Sequence, residues 1–164
     1  MPCIKAIGSL AHIFPAPAKP QLSALVGALT NLDFHVAAEA AVALSKFASD
    51  DNYLHLEHSK NIIAEGAAEH LVQLVVNFGD SESQLAALEL LCYLSRNCAD
   101  SEALAKSSAL QALETILRSQ LLLKHENAKP LVSEAIAKLE LYQLGSFSLH
   151  NRKESRLLID DDID

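Results

Sequence analysis

The chain has no tryptophan, and aromatic residues fill only 5% of its 164 positions. A β-sandwich or barrel relies on aromatic and β-branched side chains to pack its pleated faces. Their scarcity beside abundant Ala and Leu points to an all-α fold of closely packed helices. Only three cysteines occur, Cys3, Cys92 and Cys98, so any disulfide scheme leaves one unpaired, and no Asn opens an Asn-x-Ser/Thr acceptor site. A reducing, cytoplasmic location is expected. No stretch reaches the roughly 20 apolar residues of a membrane span, and the first residues do not form a secretory signal. Clustered basic residues are missing too. With a formal net charge of −8 and a sequence pI near 5.3, the chain lacks the Lys and Arg density that tracks a phosphate backbone, so nucleic acid is not an expected partner.

What the sequence has is repetition. Half of its residues are hydrophobic, enough for a chain of this length to bury on the order of 70% of its unfolded surface. The segment from Ala40 to Ala48, AAVALSKFA, is answered from Ala87 to Ser95 by ALELLCYLS, and Leu91 follows Leu44 by 47 residues. A third copy, Ala135 to Tyr142, sets Leu139 48 residues after Leu91. A shortened copy opens the chain, with Ile7 and Leu10 in the places of Leu44 and Phe47. Helical periods of about 40 to 47 residues are the signature of armadillo and HEAT solenoids, in which each unit leaves an apolar face for its neighbours to bury. The expected fold is an armadillo-like right-handed α-solenoid of about three and a half units over residues 1–145.

Helical spacing of Ile4, Ile7, Leu10, Ala11 and Phe14 predicts a helix from Cys3 to Phe14, stopped by the prolines at 15, 17 and 20. Leu22, Leu25, Val26 and Leu29 then line a middle helix from about Gln21, and Phe34 to Ser49 forms a groove helix. A short helix over His55–Ala64 is closed by Gly66. It leads to a middle helix from Ala67 to Phe78. Ser81 to Gln84 has the spacing of a capping box, ahead of a groove helix ending at Asn97. A last unit comprises a short helix to about Ser108, a middle helix carrying Leu110, Leu113, Ile116 and Leu117, and a groove helix from Pro130 to Tyr142. After Gly145 the periodicity is lost. Residues 146–164, ending in an acidic run, are expected to be a disordered tail.

Lys46-Phe47-Ala48, Asp51 to Leu54, Glu57-His58-Ser59-Lys60 with Ile62-Ile63, Leu91 to Leu94 and Leu139 to Gln143 together resemble the C-terminal repeats of the plant armadillo-repeat-only protein family, over about Ile4 to Gly145. The resemblance implies a non-enzymatic protein acting in polarised cell growth through Rho-type GTPase signalling. It also implies protein partners such as small-GTPase regulators, and a cytoplasmic location that extends peripherally to the plasma membrane. Members of that family are much longer than this chain.

Other constellations carry less. His55 and His58 lie three apart with Glu57 between them, but a structural zinc site needs further ligands that no spacing supplies. Cys92 and Cys98 match no redox motif and read as buried thiols. Ser59 beside His58 and Lys60 lacks the geometry of an activated nucleophile, because adjacent helical residues diverge by about 100°. No enzymatic activity, cofactor or metal is therefore expected. Import adaptors of the armadillo type repeat Trp and Asn four apart on the groove helix. Aligned on Leu44, those places hold Val42, Glu89 and Ala137, and Lys46, Tyr93 and Leu141, so that peptide-clamping pattern is missing. The candidate partner surface is a mixed groove formed by Glu39, Lys46, Glu89, Tyr93, Arg96, Lys138 and Leu141. The alternatives are a truncated capping or oligomerising fragment without a partner groove and, from a different class, an enzyme or metal-binding protein. Self-association through the N-terminal edge at Ile4, Ile7 and Leu10 is also expected.

Overall fold

Alanine lets helix axes approach closely, and the places where alanine is densest are where the helices of this chain stack. A computed structural model describes residues 2–11, 18–77 and 81–157, and among them every regular element is helical. The elements are α1 (Pro2–Leu10), α2 (Lys19–Ala28), α3 (Phe34–Ala48), α4 (His55–Ala64), α5 (Ala67–Asn77), α6 (Ser81–Asn97), α7 (Glu102–Lys106), α8 (Ala109–Leu117), α9 (Gln120–Lys124), a 3-10 turn over Glu126–Ala128, and α10 (Lys129–Leu157).

The four helices that carry the repeated phrase form a row: α1 packs on α3, α3 on α6, and α6 on α10. Behind it, α2 packs on α3, α5 on α6 and α8 on α10, while α4 and α7 bridge successive members. Leu44, Leu91 and Leu139, the aligned leucines, are each 0% exposed. Gly8 sets the closeness of α1: a Cβ added there would stand 3.1 Å from both Cα and Cβ of Ala43. Ile4 and Ile7 pack half-buried against the core, and Leu10, 45% exposed, is left at the surface. At the expected apolar edge, Ile4 and Ile7 are thus partly covered and Leu10 is exposed.

Local chemistry explains most boundaries. Asp33 caps α3 by accepting from the His35 amide at 3.0 Å, and Pro20 and Pro130 occupy the first turns of α2 and α10, where a missing donor costs nothing. Gly66 adopts φ +89° between α4 and α5 as anticipated. At the corresponding junction of α7 and α8 stands Ser108, with φ 62°. No glycine marked it.

Gln84 Nε2 donates to the Val75 carbonyl at 2.6 Å and ties α6 to α5, while the Ser81 side chain of the expected capping box lies outside what the structure describes. The structure departs from the sequence reading in three places. Leu117, one of the four apolar positions read for the last unit's middle helix, is 38% exposed at the last position of α8. The short α9 and the following 3-10 turn were not anticipated, since neither spans enough residues to show a period. Finally, the helix expected to stop at Tyr142 runs through Gly145 to Leu157. One glycine costs a helix only about 1 kcal/mol, and the Leu, Lys, Glu and Arg residues beyond it favour helix. The expected end of Cys3–Phe14 and the residues 158–164 of the expected tail lie outside the described residues.

Candidate functional site

Because side chains three, four and seven apart share a helix face, the row α1, α3, α6 and α10 presents one continuous side to solvent. Val42, Glu89 and Ala137 are all exposed there, as are Lys46 and Leu141, with Tyr93 half-buried between those two in the alignment. The outward places of the repeat are therefore outward in all three full copies. Shallow hollows run along this side. One of about 260 Å³ lies between α1 and α3, against Gly8, Glu39, Val42 and Lys46. The next, about 210 Å³, lies between α3 and α6, against Val42, Lys46, Ser49, Glu89 and Tyr93. A third, about 310 Å³, lies between α6 and the start of α10, against Leu85, Leu88, Glu89, Tyr93 and Leu131. A larger hollow of about 500 Å³ sits elsewhere, between α5 and α7, and none of the candidate groove residues lines it.

The charged candidates differ in how engaged they are. Glu39 pairs with Lys5 at 3.3 Å. Arg96 serves two carboxylates: its Nη2 donates to Asp50 Oδ2 at 2.9 Å, and its Nε stands 3.2 Å from Glu134 Oε1. These contacts bind the turn after α3 to α6 and α10, so Arg96 belongs to the groove's frame more than to its free surface. Glu89 and Lys46 are exposed and make no ion pair among the described residues. Burial, and next the charge of Glu89, push the Tyr93 phenol above its ordinary value. It stays a neutral donor near neutral pH. Lys138 and Leu141, the latter 69% exposed, lie on α10.

Of the residues weighed for catalysis or metal binding, His58, Ser59, Cys92 and Cys98 are buried. His58 is 0% exposed and meets Phe47 edge to face, with ring centroids 5.2 Å apart. Burial lowers its pKa, an effect partly opposed by the Phe47 main chain and by Glu57. His55 sits apart from it, its Nδ1 donating to the Asn52 carbonyl at 2.8 Å. Ser59, also 0% exposed, accepts through its hydroxyl from Asn97 Nδ2 at 2.9 Å, which holds α4 to α6. Asn61 Nδ2 is buried and reaches no hydrogen-bond partner among the described residues. Burial, followed by a neighbouring carboxylate, raises the thiols of Cys92 and Cys98 to about 12 and about 11, which makes both poor nucleophiles.

Three residues at or beside the candidate set escaped the sequence reading: Val42, which lines two of the hollows, and Asp50 and Glu134, which pair with Arg96. Val42 had a signal, since it aligns with Glu89, and Glu134 aligns with Glu39 two units earlier. Asp50 had none, because its bond to Arg96 spans 46 residues from within a turn. No protein-family model matches the chain, and no curated protein matches it.

Proposed function

We propose that the chain is an armadillo-type α-solenoid, a right-handed superhelix of about three and a half units, that works as a non-catalytic protein-interaction scaffold. Its partner surface is the outward side of α3, α6 and α10. One observation supports this most strongly. Leu44, Leu91 and Leu139 are wholly buried, while Val42, Glu89 and Ala137 beside them face solvent in every full copy. A repeated core with a repeated open side is what a stacked binding scaffold requires. The resemblance to plant armadillo-repeat-only proteins adds regulators of Rho-type GTPases as the expected partners, polarised growth as the setting, and the cytoplasm with the plasma-membrane periphery as the place. No helix among the described residues is long and apolar enough to cross a membrane.

Photo-crosslinking tests the reading. A photoreactive residue is placed at Val42 or Leu141 on the proposed side, and at Val76 or Leu123, exposed on α5 and α9. Crosslinking is then carried out in plant cytosol. The scaffold reading expects one shared protein adduct from positions 42 and 141 and none from 76 and 123. Adducts confined to 76 and 123, or none at all, overturn it.

A further inference from the structure

The hollow between α6 and α10 is lined from both helices by leucines of the core and its margin. Leu88 and Val132 are fully buried core residues, whereas Leu85 and Leu131 are half-buried against that core, and all four line the hollow. The apolar surface open to solvent here is that of Leu85 and Leu131, seated directly on the core. At about 310 Å³ it stands at the lower end of the range of ligand pockets, a size for one or two side chains. Glu89 and Tyr93 line this hollow and also the polar depression beside it, which Asp51 and Lys46 complete. The two form one surface.

Its charge is unbalanced. Glu89 and Asp51 are exposed and make no ion pair among the described residues, and Asp50 and Glu134 share the single guanidinium of Arg96. Lys46 is the cation that lines the polar depression. Two unpaired carboxylates against one lysine in its lining disfavour an acidic partner and favour a basic one, the more so in a chain whose net charge is −8.

We infer that this surface binds an extended basic peptide of a protein partner, seating an aliphatic or aromatic side chain in the hollow between α6 and α10 and a Lys or Arg against Glu89 and Asp51. The inference rests on the scaffold reading and names the chemistry of its partner. Burial of the apolar side chain supplies affinity. The charge-assisted bond to Glu89, with the Tyr93 ring at hand for a cation, sets orientation and register.

The full chain is panned against a displayed library of random peptides about twelve residues long, and a recovered peptide is titrated by fluorescence anisotropy. Recovered peptides should pair a bulky apolar residue with Lys or Arg a few positions away. Glu89→Lys should weaken binding by about tenfold or more, and exchanging the peptide's basic residue for Glu should restore it to that variant. Lys106→Glu, beside the hollow of α5 and α7, should leave affinity unchanged. Glu89 is exposed, so its exchange leaves the fold intact, which circular dichroism checks. Peptides without a basic residue, no retained peptide, or an indifferent Glu89→Lys variant overturn the inference. If crosslinking at Val42 and Leu141 still captures one protein, the scaffold reading survives that failure. If it does not, both fall.

Discussion

Asn97 Nδ2 donates to the carbonyl oxygen of Ala48 at 2.8 Å, joining the end of α6 to the end of α3 across 49 residues. The same device occurs one step earlier, where Asn52 Nδ2 donates to the carbonyl of Ala11 at 3.0 Å. Ala11 and Ala48 are equivalent when Ile7 is set on Leu44. In each case an amide from a later part of the chain reaches a carbonyl at the C-terminal end of a row helix, the end where carbonyls run short of intrahelical donors.

Removing that amide should therefore be costly. Asn97→Ala leaves both the Ala48 carbonyl and the Ser59 hydroxyl without their partner. The expected loss is about 1 to 3 kcal/mol, read as a lower urea midpoint. Asn31→Ala, at an exposed position, should move it much less. Equal shifts would contradict the role given to Asn97.

The buried imidazole of His58 makes stability pH-dependent. Its folded pKa lies below the usual 6.5, first because of burial, whereas the unfolded chain keeps a value near 6.5. Below that pH the unfolded state takes up more protons than the folded one, so this contribution is complete above about pH 6.5 and is lost as the pH falls towards the folded value. Denaturation midpoints at about pH 7.5 and 5.5 should differ more for the natural chain than for His58→Leu. An undiminished difference in the variant would place the acid sensitivity elsewhere.

Ser108 and Gly66 make a paired test of the unit boundary. Each takes a positive φ between a short helix and the next, a conformation that costs a residue with a Cβ about 1 to 2 kcal/mol. Ser108→Gly should raise stability, by no more than about 1 kcal/mol because glycine also frees the unfolded chain. Gly66→Ala should lower it by a similar amount, and nothing lies within 4 Å of a Cβ added there to add a clash. Calorimetric midpoints moving in the same direction for both would be inconsistent with this geometry.

The row of helices was legible because it rests on a long-period pattern: Leu44, Leu91 and Leu139 announce their burial through what recurs around them. The groove's frame was not, because Asp50, Arg96 and Glu134 meet only after three helices have stacked, and no spacing within one helix encodes that. Ser108 was missed for a different reason. Glycine is the usual mark of a left-handed junction, and a serine there gives no sign. Gly145 misled in the opposite sense, since within a run of good helix formers one glycine does not end a helix.

The most direct test compares two leucines on one helix, Leu139 and Leu141. They stand two positions apart on α10, yet Leu139 is 0% exposed and Leu141 is 69% exposed. If α10 repeats the register of α3 and α6, with one side in the core and the other left open for a partner, Leu139→Ala should cost about 2 to 5 kcal/mol in urea denaturation. Leu141→Ala should then stay within about 0.5 kcal/mol of the natural chain. Comparable losses from the two substitutions, or a larger one at Leu141, would contradict the repeat register and with it the open side on which the scaffold reading depends.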